Sequence, residues 1–137
     1  FEIRSGSEKV TRRFFKICNN GRESFTGLYK SLTEQGICNG HQCIAYGLYM
    51  RDNGIELSEG LAVYGYSICS AIVTNCVKLV PLSQLAGQKI LGESFELISS
   101  ASEKALFTDI NDIGISGAGF DLRAMQHERL YSRQYMS

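Results

Sequence analysis

The sequence has a single proline in 137 residues and few runs in which β-branched side chains alternate with polar ones. Without proline to remove backbone donors, long stretches are free to be helical. Without period-two alternation, half-buried strands are not expected. An excess charge of one sign is also missing, since 14 basic residues balance 14 acidic ones. Nucleic acid is therefore not an expected partner, because non-specific binding needs a dense positive surface to displace phosphate counterions. Weak self-repulsion leaves association with other proteins easier. No G-x-x-x-x-G-K-[ST] and no G-x-G-x-x-G occurs, and Gly117-Ala118-Gly119 lacks the lysine of a phosphate loop. No nucleotide should bind through a standard loop. Phe1 opens the chain in place of Met, with no basic leader before an apolar stretch, so a fragment without a signal peptide is expected.

What is present is helical in pattern, and the expected fold is all-α, one domain over residues 1–137. Val10, Phe14 and Ile17 share a face in a first segment from about Ser7 to Cys18, which Asn19-Asn20-Gly21 should stop. A short helix follows with Phe25, Leu28 and Leu32 on one side. Gly36 to Gly40 reads as a loop, and His41 to Asp52 as a helix ending at Asn53-Gly54. The longest helix spans about 59–79, with Ser58 as its expected N-cap. Leu57, Leu61, Tyr64, Ile68, Ile72, Cys76 and Leu79 form one stripe, and Val63, Tyr66, Val73 and Val77 a second. A helix apolar on most sides belongs at the centre of a bundle or at a subunit interface. Pro81 should end it. A further helix from about Ser83 to Ser102 places Leu85, Ile90, Leu91, Phe95 and Ile98 in the expected core. Thr108 to Gly119 reads as a surface loop, and a terminal helix from about Phe120 to Leu130 leads into a tail, 131–137.

Several constellations invite chemistry. From Gly60 through Val77 the chain is uncharged, at the short end of a membrane span. Ser67, Ser70, Thr74 and Asn75 interrupt that run, and the flanking segments carry apolar faces that need a protein core, so a bundle helix and no membrane are expected. Cys38, His41 and Cys43 form C-x-x-H-x-C, a set short of the four ligands of a structural zinc site. Cys18 or His127 could complete it, but His41 stands where a helix begins, and no metal is the preferred reading. A small metal-binding protein is the alternative. His127-Glu128 opens H-E-x-x-H, yet position 131 is tyrosine. No catalytic pair has a local signature, so an enzyme is not expected. Five cysteines without a regular framework point to a reduced, cytoplasmic protein.

Two segments carry a contact pattern. In Val77 to Leu91, Lys78 falls in the last turn of a helix, Ser83 can cap the next, and Gln84 and Gln88 project from one face as paired amides. The tail carries Tyr131, Arg133 and Tyr135, which seven residues cannot bury alone, so it either folds back or meets a partner's groove.

His127, Glu128, Tyr131, Ser132 and Arg133 follow the order His-Glu-x-x-Tyr-Ser-Arg. This resembles the C-terminal signature of the UreF family of urease accessory proteins. V-K-x-V-P-L-x-Q-x-x-G-Q (from Val77), HQCIAYG (His41 to Gly47) and the Arg-Arg-aromatic stretch in Thr11 to Phe15 are similar to family segments in the same order. The resemblance is strongest from Leu61 onward and corresponds to the C-terminal part. The family's N-terminal half, with its Leu-Pro-Ile-Gly-Gly-like segment, has no counterpart here. It implies an all-helical, dimeric, non-catalytic scaffold that bridges UreD (UreH in some organisms) and the GTPase UreG. That complex delivers nickel to apo-urease in a GTP-dependent step, so nickel and GTP are handled by partner proteins and no cofactor is implied for this chain. By the same resemblance Tyr131, Arg133 and Tyr135 contact UreD/UreH, Lys78, Gln84 and Gln88 recruit UreG, and Tyr66 lies near the dimer interface. Ala62 stands where some relatives carry a basic side chain.

Overall fold

The computed structural model describes residues 2–18, 21, 23–80, 82–114 and 117–129. Among them are seven α-helices and no strand: α1 (Glu2–Ile17), α2 (Phe25–Glu34), α3 (Gln42–Asp52), α4 (Leu57–Leu79), α5 (Gln84–Glu93), α6 (Phe95–Leu106) and α7 (Ala118–Glu128), with a 3₁₀ turn at Ile110–Asp112. The all-α fold with a long apolar helix near 59–79 is what the sequence led one to expect. Two compact units divide the chain, the first Phe1–Asp52 with Asp112–Ser137 and the second Asn53–Asn111.

In the first unit α1 packs on α3 and α7, and α2 packs on α3. Phe15, Tyr29 and Ala45, one from each of α1, α2 and α3, form the core, with Phe14, Cys38 and Leu48 against it. Phe14 meets Tyr46 at 4.5 Å and Tyr49 at 5.3 Å between ring centroids, within the range of favourable aromatic pairs. α2 ends in a Schellman motif: Gly36, at φ +74, donates to Thr33 O, and Ile37 N–H reaches Leu32 O. The turn beyond is tied to its neighbours. His41 N–H donates to the Tyr29 hydroxyl at 2.9 Å, Gln42 N–H to Ser7 Oγ at 2.9 Å, and Arg4 Nη2 to Asn39 Oδ1 at 2.7 Å.

The apolar stripes of α1 and α2 are not the most buried faces, although Phe14 packs against the core. Val10 and Ile17 are exposed, and Thr11 with Phe15 turns inward instead. Phe25 and Leu28 are likewise exposed, while Thr26 and Tyr29 are buried. Both threonines can enter because their hydroxyls are satisfied. Thr11 Oγ1 donates to Ser7 O at 3.0 Å, and Thr26 Oγ1 to Asp52 Oδ2 at 2.6 Å. α1 also begins well before Ser7.

In the second unit α4 packs on α5 and α6, which also touch each other. Gly60, Gly87, Leu91 and Ile98 are buried, whereas Leu57, Val63, Tyr66, Ile68, Ile72 and Leu79 of α4 remain exposed. The long helix is thus covered along one side only, and by length and composition it could also cross a bilayer. Its start differs from expectation. Glu56, in an extended conformation and making no side-chain cap bond, precedes the first turn, so Ser58 already lies inside the helix. Its end is as expected, with Val80 extended (φ −117, ψ 149) before Pro81. The single helix expected over 83–102 is interrupted at Ser94. Ser94 Oγ donates to Leu91 O at 2.7 Å, competing for a ladder carbonyl two residues after Gly92. Of its expected core, Leu91 and Ile98 are buried, while Leu85, Ile90 and Phe95 are exposed. Within the stretch read as loop, Ile110–Asp112 forms a 3₁₀ turn and α7 starts at Ala118.

Candidate functional site

One candidate site lies between the last turns of α4 and the first turns of α5. Lys78 is the cation of the last turn of α4, where it complements the helix dipole. After Pro81, Ser83 caps α5 as expected, its Oγ accepting from Ala86 N–H at 3.1 Å. The cap sets the phase of α5, so Gln84 and Gln88 stand one turn apart. Both are solvent-exposed, and Gly87 beside them is buried against α4. Val73, Thr74, Val77 and Lys78 from α4 with Gln84, Gly87 and Gln88 from α5 line one groove of about 440 Å³. Three residues selected from sequence thus share a single concave surface. It presents an ammonium, two carboxamides and a threonine hydroxyl over an apolar floor. Gly87 was missed as a contributor, although its position between the two glutamines was the available signal.

Tyr66 lies elsewhere on α4. Its ring stacks on Phe95 of α6, with centroids 5.8 Å apart and planes 7° from parallel. Both rings line an apolar groove of about 620 Å³ with Ala62, Val63, Ile98 and Leu106, while Ser58, Ser99, Ser102 and Glu103 supply its polar groups. Tyr66 therefore has an intrachain partner in Phe95 that its helical spacing does not reveal. Tyr131, Arg133 and Tyr135 lie outside the described residues.

Cys38, His41 and Cys43 do not converge. Among the described residues no group of three or more His, Cys, Asp or Glu side chains could hold a metal ion. Cys38 packs at the edge of the core, Cys43 is exposed, and the backbone of His41 is committed to Tyr29. The Tyr29 phenol is pushed above its ordinary value by burial. Coulombic contact with Cys38 and Cys43 adds to the rise, and hydrogen bonds from the His41 and Gly40 backbone oppose it. Burial likewise raises the Cys18 thiol, which lowers its reactivity at neutral pH.

Comparison with known proteins bears directly on these positions. The family model for UreF matches residues 1–94, more than half the chain. The chain belongs to the UreF family. The matched region contains Lys78, Gln84, Gly87 and Gln88 and stops before the tail. The urease accessory protein UreF of Streptococcus thermophilus is 34% identical over 137 residues, covering 99% of this chain and 58% of that protein. The UreF of Paenarthrobacter aurescens is 31% identical over 140 residues, with 99% and 61% covered. That of Actinobacillus pleuropneumoniae is 34% identical, with 99% and 60% covered. The chain therefore spans about 60% of the length of these UreF relatives.

Proposed function

We propose that this chain is a non-catalytic scaffold in urease maturation, which bridges UreD/UreH and the GTPase UreG during GTP-dependent nickel insertion into apo-urease. The observation that carries this reading is the groove between α4 and α5, where Lys78, Gln84 and Gln88 meet within the part matched by the UreF family. An exposed, concave, mixed polar and apolar surface suits the binding of a partner. On this reading UreG contacts Lys78, Gln84 and Gln88, while Tyr131, Arg133 and Tyr135 of the tail dock on UreD/UreH. There Arg133 supplies a forked donor and the tyrosines flat apolar area. A homodimer places Tyr66 at or near its interface. Nickel and GTP stay with the partners. Free cysteines suit the reducing cytoplasm.

A pull-down from a urease-positive cell tests the class, with recovery of both UreD/UreH and UreG as the expected result. Deleting residues 130–137 should remove UreD/UreH and leave the helical signal unchanged. Gln84→Ala combined with Gln88→Ala should weaken capture of UreG by the preformed complex with UreD/UreH. Retention of UreD/UreH by the truncated chain, or undiminished UreG capture by the double variant, removes the corresponding assignment.

A further inference from the structure

Gly87 sets how closely α5 approaches α4. A Cβ added there would lie 2.7 Å from Val77 Cγ2 and 3.2 Å from Val73 Cγ1. The first distance is shorter than real Cβ atoms show, so with any larger residue either the Val77 side chain or the spacing of the two helices must shift. Gln84 and Gln88 bracket Gly87 on α5, and Thr74 and Lys78 each follow one of the valines on α4. The contact that Gly87 permits therefore also fixes the spacing between the two amides and the ammonium across the groove.

The charge pattern says what such a groove accepts. From Gly60 to Gly92 there is no Asp or Glu, and the charged residues are Lys78 and Lys89. Lys89 faces Glu93 at 3.9 Å, while Lys78 lines the groove. The ammonium can only donate, and the two amides and the hydroxyl, which also accept, can turn donors the same way; a carboxylate, which only accepts, complements them.

We propose that Gly87 is the positioning residue of this groove, and that the groove receives a carboxylate-bearing segment of the GTPase partner. The inference rests on the reading of this face as the UreG-recruiting one. Moving α5 outward parts the amides from Lys78, and the incoming carboxylate then meets one donor set without the other.

The test titrates UreG against the full chain held in its complex with UreD/UreH. Gly87→Ala should weaken capture about tenfold while the helical signal persists. Adding Val77→Ala removes the nearer of the two methyl groups that meet the new Cβ and should restore capture to within about threefold of the original. Should Gly87→Ala fail to fold, Val77→Ile thickens the same contact from the α4 side and should weaken capture in the same direction. Lys78→Gln should weaken capture and flatten its dependence on salt. Failure of the unsubstituted complex to capture UreG defeats the scaffold reading itself. Capture by the unsubstituted complex that Gly87→Ala leaves unchanged, or that Val77→Ala does not rescue, overturns the positioning role. Capture whose salt dependence survives Lys78→Gln overturns the carboxylate.

Discussion

The two units of this chain hold together by different means. The first closes around an aromatic core, and side chains bonded across helices lock it. The Asp52 carboxylate at the end of α3 accepts from Phe25 N–H at 3.0 Å, from Thr26 N–H at 2.8 Å and from the Thr26 hydroxyl at 2.6 Å. Those bonds satisfy orphan donors of the first turn of α2 and place a negative charge at its N-terminus. The second unit is built differently. It is held by close apolar approach at Gly87, Leu91 and Ile98, and it leaves most of the apolar surface of α4 open. The difference separates their roles. Both units expose large apolar side chains, so the difference lies in the polar groups. Asp52, Thr26 and Tyr29 of the first unit are spent on bonds between elements, which suits a support, whereas Lys78, Gln84 and Gln88 of the second line a groove, which suits a partner.

In the first unit, loss of a polar side chain should cost most. Asp52→Ala strands the buried Thr26 hydroxyl and two first-turn N–H groups, and it should destabilise the fold by about 3 kcal/mol. Chemical denaturation followed by circular dichroism reads this directly. A loss below about 1 kcal/mol would show that water replaces the carboxylate easily and that the first unit is less closed than its hydrogen bonds imply.

Tyr29→Phe comes next and adds a pH signature. Losing the acceptor for His41 N–H should cost about 1 kcal/mol at neutral pH. The folded Tyr29 holds its proton above the ordinary phenol value of 10.0. Its contribution is therefore fully present below that value, and it is lost as pH rises through the higher pKa of the folded state. The original chain should lose stability more steeply than Tyr29→Phe in that alkaline window. Parallel curves for the two proteins would mean that the phenol ionises as readily folded as unfolded.

The same contrast explains what could be read from the sequence. The helices were legible because their apolar spacing, the Ser83 cap and the Pro81 stop are local signals. Of the groove, Gln84 and Gln88 were legible as one face because they fall one turn apart on α5, whereas Lys78, on the other side of that stop, was joined to them only by the family resemblance. Which faces turn inward was less legible. Thr11 and Thr26 are buried because distant or backbone acceptors satisfy them, and hydropathy assigns no such credit. Val10, Ile17, Phe25 and Leu28 are exposed although their spacing is that of a core face. The interruption at Ser94 arises from one hydroxyl and a nearby glycine inside an otherwise continuous pattern. Gly87 appeared in a recognisable motif, but its role emerges only from the valines opposite it.

The smallest expected effect bears on the second unit. Ile72 is 57% exposed on α4. If that face is open in the chain by itself, Ile72→Lys should change stability by no more than about 0.5 kcal/mol, since nothing packed is disturbed. Denaturation at several protein concentrations separates the possible covers. A cost that appears only at high concentration indicates that a second copy shields Ile72, because association stabilises by mass action. A large cost at every concentration would mean that the chain covers the residue itself, and the contrast between a closed and an open unit would collapse. A bilayer gives a third result: the original chain floats with lipid vesicles and Ile72→Lys does so less, because a lysine near the middle of a span costs about 3 kcal/mol. Substituting a charge for an apolar residue here should thus cost less than removing one carboxylate from the first unit, and that ordering is the point at which the comparison stands or fails.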